Sequence, residues 1–342
     1  MLTQENTLTI AAGAAVALIA VAASVHFLKP KTPAVAQVQK TPPPEPEFLV
    51  LKDGRKLAYH IYPPPEGPVK GTLIYFHGLP GSRLEVELLL HSVQDRRGYQ
   101  VVGIDRPGFG QSDIDMACTP ASFAQNEVPQ LLEHLGVDQF SVAGTSGGGP
   151  YALACTRFFP KSRLRSAATI ASIGPIHAMG GVWNAPGPLF SKLMSFMMTG
   201  LPRSFHVWVL RMQDGKIPKL QPSHFRGPDR ALAEQDPKVI ELFQNSMEES
   251  LVHIRKTADN VAANLIALGQ PWGFDLSEID HPYIHIYHGR SDINVPYQHA
   301  EYMAAHIRNA QLHLYDNVAH ASIITKAEIV IENLAKDAQE PR

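Results

Sequence analysis

The stretch SVAGTSGGGPYALA, Ser141 to Ala154, decides how the rest of the chain is read. A short apolar run ends at Gly144, a lone serine, Ser146, precedes Gly147, Gly148 and Gly149, and small apolar residues then resume. The spacing Gly144-x-Ser146-x-Gly148 between an expected strand and an expected helix is that of a nucleophile elbow. Its basis is steric. A serine held in a strained turn stands out from the sheet, and strand and helix approach closely only where side chains are absent. The same glycines would also suit a phosphate cradle, but neither G-x-G-x-x-G nor G-x-x-x-x-G-K-[ST] can be laid over them.

Outward from this point the pattern is regular. FLVLKDGRKLAYHIY, from Phe48, reads as two strands around an Asp53-Gly54 turn. Short apolar runs follow at 72–76, 101–104, 140–144, 167–172, 283–287 and 310–315, and most are separated by enough chain for a helix, such as Phe123 to Leu135. Buried strands alternating with helices predict an α/β fold: a mostly parallel sheet with helices on both faces. In such sheets ligands gather at the carboxyl ends of the strands. The segments falling there are HGLPG (77–81), DRPGFGQSD (105–113), TSGGG (145–149), HGRSD (288–292) and DNVAH (316–320).

Composition bounds the function. Of the 342 residues 44% are hydrophobic, enough for one large domain with attachments. Thirty Lys and Arg against 32 Asp and Glu leave a formal charge of -2, and with no basic arm a nucleic-acid partner is not expected. The two cysteines, Cys118 and Cys155, form neither a C-x-x-C pair nor a Cys/His cluster, so no disulfide framework and no metal site is expected. No protein partner emerges from the sequence either.

The N-terminus is a separate problem. LTIAAGAAVALIAVAASVHFL, Leu8 to Leu28, has the length of a membrane-spanning helix, so residues 1–28 are read as an anchor. Its alanine content leaves a cleaved signal as the alternative, with Ala34-Val35-Ala36 as the cleavage site; against cleavage, Glu5 stands where a basic residue would precede the run. Lys29, Lys31 and Lys40 after the span would keep the downstream domain cytoplasmic. Residues 29–47, with six prolines, read as a semi-rigid linker.

The segments HGLPGS, DRPGFGQSD, GTSGGGPYA, HGRSDINVP and VAHAS, with the chain order Ser, Asp, His, resemble the α/β-hydrolase fold superfamily from about Phe48 to about Leu334. The resemblance implies Ser146 as nucleophile, His320 as base, Asp292 as the acid orienting it, and an oxyanion hole from the N–H groups of Leu79 and Gly147. Serine rather than aspartate at the elbow argues against dehalogenase and epoxide hydrolase chemistry. HGLPG also departs from the HGGG loop of hormone-sensitive-type esterases.

Other residues compete for these roles. His77 reads as organising a glycine turn, His285 and His313 as histidines within strands, and His288 as part of the Asp292 loop. Asp113 is the reserve acid and Asp105 a loop brace. The stretch 174–270 is too long for a simple crossover and is read as an inserted helical cap within a domain of residues 48–342. Its segment Pro188 to Leu210 is rich in Met, Phe, Leu and Trp, which suits a cap core, an acyl tunnel or a membrane contact. The resulting expectation is a membrane-tethered serine hydrolase acting on a small-molecule or lipid ester, without a cofactor. A serine aminopeptidase, using a cap carboxylate such as Glu234 or Glu241, and a non-catalytic receptor of the same fold remain the alternatives.

Overall fold

Alternation along the strands builds two cores. In β3 (Gly71–Phe76) Ile74 and Phe76 join one apolar cluster while Leu73 and Tyr75 join another, as the two-residue period of a strand requires. The first cluster takes in Phe123, Val128 and Leu131 from α2 (Pro120–His134), Tyr151 and Leu153 from α3 (Gly149–Phe158), and Met303 from α9 (Gln298–His306). The second takes in Val86 and Leu89 from α1 (Glu85–His91) and Val330 and Leu334 from α10 (Ala327–Gln339). A sheet buried on both faces is the result.

The computed structural model describes residues 43–213 and 219–340. Its eight strands run in the order β1-β2-β4-β3-β5-β6-β7-β8. The hairpin β1 (Glu47–Val50) and β2 (Lys56–Tyr62) is antiparallel, and β2 is antiparallel to β4 (Tyr99–Ile104). The pairs joining β4, β3, β5 (Phe140–Thr145), β6 (Leu164–Ile170), β7 (Ile284–Gly289) and β8 (Ala310–Tyr315) are all parallel. β5, carrying the elbow, lies between β3 and β6.

Between β6 and β7 the chain forms α4 (Leu189–Thr199), α5 (Arg203–Gln213), α6 (Gly227–Gln235), α7 (Pro237–Ser250) and α8 (Ile254–Ala267). Phe109, from the loop after β4, packs with Val207 of α5 and Ile254, Ala258 and Val261 of α8. Leu88 of α1 packs with Val239 and Leu242 of α7. Buried Arg83 adds a polar tie, placing Nη1 2.8 Å from Asp105 and 2.6 Å from Glu249 of α7. These contacts seat the inserted helices on the loops that end β3 and β4.

The apolar run expected to be an anchor, residues 1–28, and residues 29–42 of the expected linker lie outside the described residues. Among the described residues no helix is long and apolar enough to cross a membrane.

Candidate active site

Ser146 follows β5 directly and adopts φ +51°, the left-handed region that a non-glycine residue enters only when its surroundings impose it. A 3-10 turn, Ser146–Gly148, then leads into α3. A Cβ at Gly144 would collide with the Gly148 carbonyl oxygen, one at Gly148 with the Phe76 carbonyl oxygen, and one at Gly149 with the Ser172 hydroxyl. Glycine at these positions lets strand, turn and helix close around the strained serine.

Asp292 and His320 lie in the loops after β7 and β8, adjacent parallel strands. His320 Nδ1 lies 2.7 Å from Asp292 Oδ2. The Asn294 and Val295 N–H groups donate to Asp292 Oδ1 at 2.8 and 2.9 Å. Burial disfavours the Asp292 charge, but His320 and His288 beside it outweigh it and hold the carboxyl well below the usual carboxylate range. Burial likewise lowers the His320 imidazole, yet the Asp292 carboxylate prevails and raises it above 6.5. With the Nδ1 proton directed at Asp292, the His320 Nε2 lone pair is free for chemistry.

His288 corrects the sequence reading. It is a residue of β7 rather than of the following loop, because the strand pairing with β8 continues to Gly289. Its buried Nε2 donates to the Val295 carbonyl at 2.8 Å and lies 3.3 Å from Asp292 Oδ2, so it supports the acid from below.

Leu79 and Gly147 border the same cavity as Ser146 and His320, and the Leu79–Pro80 peptide is cis. His77 organises this turn as expected: its Nδ1–H donates to the Gly78 carbonyl at 2.7 Å while Nε2 accepts from Arg106 N–H at 3.1 Å. Behind the turn stands Glu85, which sequence reasoning missed. Its carboxylate accepts from Gly78 N–H at 3.0 Å and from the Tyr75 hydroxyl at 2.8 Å, and Tyr75 Oη lies 2.6 Å from Thr145 Oγ1. Glu85 therefore links the Leu79 loop to the residue before Ser146. Burial pushes this carboxyl up to about 7. Asp229 of α6 was missed as well; it borders the cavity and accepts from Ala321 N–H at 3.0 Å and Ser322 N–H at 2.7 Å, bracing the loop of His320. An acidic residue on a helix carries no local signal for either role.

The other contenders are occupied elsewhere. Asp113 accepts from Lys56 N–H at 2.7 Å, and Asp105 braces the Arg83 and Gln111 backbone. His285 is buried between Asp337, at 2.7 Å, and His313, at 3.0 Å. Glu234 pairs with Arg230 and Glu241 with Lys238, and neither borders the cavity.

The cavity has a volume of about 540 Å³, within the range of small-molecule sites. Ser195, Met198, Thr199 and Leu210 from the Met- and Phe-rich segment border it, while Trp208, Leu189 and Leu193 of the same segment are exposed. Among the described residues, Glu85 and Asp229 are on its wall together with His224, His299 and His320, and no Lys or Arg is. Among the described residues no cluster of His, Cys, Asp and Glu is arranged to hold a metal ion.

An eight-stranded, mostly parallel sheet with a serine elbow at its centre defines an α/β-type hydrolase architecture. Residues 71–327 match the alpha/beta hydrolase fold family, and the chain belongs to it. At that level it is a hydrolase. The chain is similar to 2-hydroxy-6-oxononadienedioate/2-hydroxy-6-oxononatrienedioate hydrolase 1 of Pseudomonas putida, with 26% identity over 80% of this chain and 90% of that protein. It is also similar to a bifunctional esterase/perhydrolase of Acinetobacter calcoaceticus, with 23% identity over 84% and 97% respectively. Among solved structures, an esterase from Exiguobacterium antarcticum superposes with a TM-score of 0.61 over 86% of this chain and 99% of that one, at 16% identity.

Proposed function

We propose that this chain is a serine hydrolase that cleaves an uncharged carboxylic ester through an acyl-enzyme on Ser146. The observation carrying the reading is Ser146, strained at φ +51°, on a cavity shared with a His320 ring held 2.7 Å from Asp292. His320 Nε2 takes the Ser146 proton as Oγ attacks the ester carbonyl carbon. The carbonyl electron pair moves onto oxygen, where the Leu79 and Gly147 N–H groups stabilise it. The intermediate collapses, the C–O bond to the alcohol breaks, and His320 returns the proton to the leaving oxygen. Water, deprotonated by His320, then releases the acid and restores Ser146. Asp292 holds the imidazole tautomer throughout.

The preference for an uncharged substrate follows from the wall of the cavity. The Pseudomonas putida relative is named for a substrate with two carboxylates. Among the described residues that border the site, the acidic Glu85 and Asp229 have no Lys or Arg beside them to pair with such groups, so a dianion lacks a cationic partner there. The aminopeptidase reading is weaker, because Glu234 and Glu241 are turned to cations of the cap surface and Asp229 is engaged by two backbone N–H groups. Tethering to a membrane by residues 1–28, with a linker over 29–47 and a cap over 174–270, completes the proposal; it rests on the 21 uncharged residues from Leu8 to Leu28.

Short p-nitrophenyl esters and a fluorophosphonate probe test this directly. Ser146→Ala is expected to lose labelling and to lower kcat by about 10⁶, and Asp292→Asn by about 10⁴. Turnover of Ser146→Ala close to wild type would end the assignment. Faster cleavage of matched amino-acid amides than of esters would favour the peptidase reading. Tethering is read by whether the full chain stays with membranes after alkaline extraction.

A further inference from the structure

A buried cation stands behind the loop of Leu79. Arg106, in the loop after β4, is wholly buried, and its guanidinium lies over the rings of Phe109, at 5.1 Å, and Tyr151, at 4.6 Å. Among the described residues no carboxylate is within ion-pair distance of it, and its Nε and Nη1 have no hydrogen-bond partner. The other wholly buried arginine, Arg83, pairs with Asp105 and Glu249. Glu85 feels the Arg106 charge, yet burial still raises that carboxyl to about 7, so near neutrality it offsets the cation only in part. A guanidinium kept in the interior without a full counter-ion is costly to the fold.

What it touches gives the reason. Arg106 Nη2 donates to the Gly78 carbonyl at 3.3 Å, and the same oxygen accepts from His77 Nδ1–H at 2.7 Å. That carbonyl shares a trans peptide with the Leu79 N–H, so the two point in opposite directions. Gly78 and Leu79 border the cavity, whereas His77 and Arg106 do not, so a carbonyl held on the Arg106 side leaves the N–H edge toward the cavity. The Leu79 N–H has no acceptor among the described residues. Ser146 is close by, since a Cβ on Gly78 would lie 3.2 Å from the Ser146 Cβ.

We propose that Arg106 is a positioning residue for the reaction: its guanidinium fixes and polarises the Gly78–Leu79 peptide, so that the Leu79 N–H meets the oxyanion formed when Ser146 attacks the ester. The inference rests on Ser146 as the nucleophile. Hydrogen bonds from His77 and Arg106 draw electron density toward the Gly78 oxygen and make the N–H of the same amide a stronger donor. The fixed positive charge behind the peptide adds to this in a site of low dielectric. The ester oxygen carries little charge before attack, so the effect belongs to the transition state and falls on kcat rather than KM.

The test uses the full chain and p-nitrophenyl butyrate, with fluorophosphonate titration counting competent sites. A trifluoromethyl ketone, which Ser146 Oγ converts to a tetrahedral oxyanion, reads the transition state separately. Arg106→Met removes the charge at similar length and should keep or raise the melting temperature, because an incompletely paired buried charge is lost. Its kcat per titrated site should nevertheless fall at least about thirtyfold, KM should stay within about threefold, and the ketone Ki should rise by the factor that kcat falls. Arg106→Lys keeps a cation without the planar fork and should fall between, about tenfold below wild type in both kcat and ketone affinity. Wild-type kcat and ketone affinity in either variant, or a loss of kcat with no matching loss of ketone affinity, overturns the role of Arg106 alone. Absence of probe labelling in the wild type overturns the serine hydrolase reading and this role with it.

Discussion

Glu85 ties the pH dependence of stability to the architecture of the site. Its carboxyl is buried beneath the Leu79 loop at the cavity wall, and burial raises it from 4.5 to about 7, against the opposing pull of Tyr75, the Gly78 N–H, Arg106 and His320. Between those two values the unfolded chain has released the proton that the folded chain still holds. The unfolded state thus binds fewer protons, and stability falls as pH rises through that window, then levels off above about 7. Integrated from pH 5 to pH 8 the loss is on the order of a few kcal/mol. Glu85→Gln preserves an acceptor for Gly78 N–H or Tyr75 but cannot titrate, so its lost or altered hydrogen bonds add a constant offset. Chemical unfolding of wild type and variant at both pH values isolates the effect. The stability difference between them should move by a few kcal/mol in favour of Glu85→Gln on going from pH 5 to pH 8. A difference that stays constant across that range would show that the carboxyl titrates near its ordinary value and that the enclosure is not dry.

Two further outcomes follow from the geometry. Because His320 is raised above 6.5 and must be neutral to take the Ser146 proton, kcat/KM should fall as pH drops through that raised value. In Asp292→Asn the partner that raises it is gone, so the residual activity should have its acid limb at lower pH; an unmoved limb would assign the titration to another group. Gly148→Ala should fail to give folded protein or lose several kcal/mol of stability, since its Cβ would strike the Phe76 carbonyl oxygen of the neighbouring strand. Wild-type thermal stability in that variant would contradict the tight elbow.

The layered fold was legible because its signals are local. Leu73, Ile74, Tyr75 and Phe76 form an apolar run too short for a helix and bounded by glycine turns, and such a run can be buried only as a strand covered on both faces. The elbow was legible in part for the same reason: a Cβ at Gly144 would meet Gly148 four residues on, whereas the collision avoided at Gly148 is with Phe76 of β3, distant in the chain. His288 was misplaced by one element, since the end of a strand is decided by its pairing, here with Leu314 of β8.

Order along the chain was enough to nominate Ser146, Asp292 and His320, because a parallel sheet delivers every strand end to one rim. What surrounds them was decided only in three dimensions. Glu85 and Asp229 sit on helices with no motif around them, and their meaning comes from a strand, a loop and a helix between β6 and β7 that are far apart in sequence. The backbone sterics of a tight turn, as at Gly144, act between chain neighbours and so can be read from a string of residues; burial, and the charge and shape it confers on a site, arises only when distant segments exclude water together.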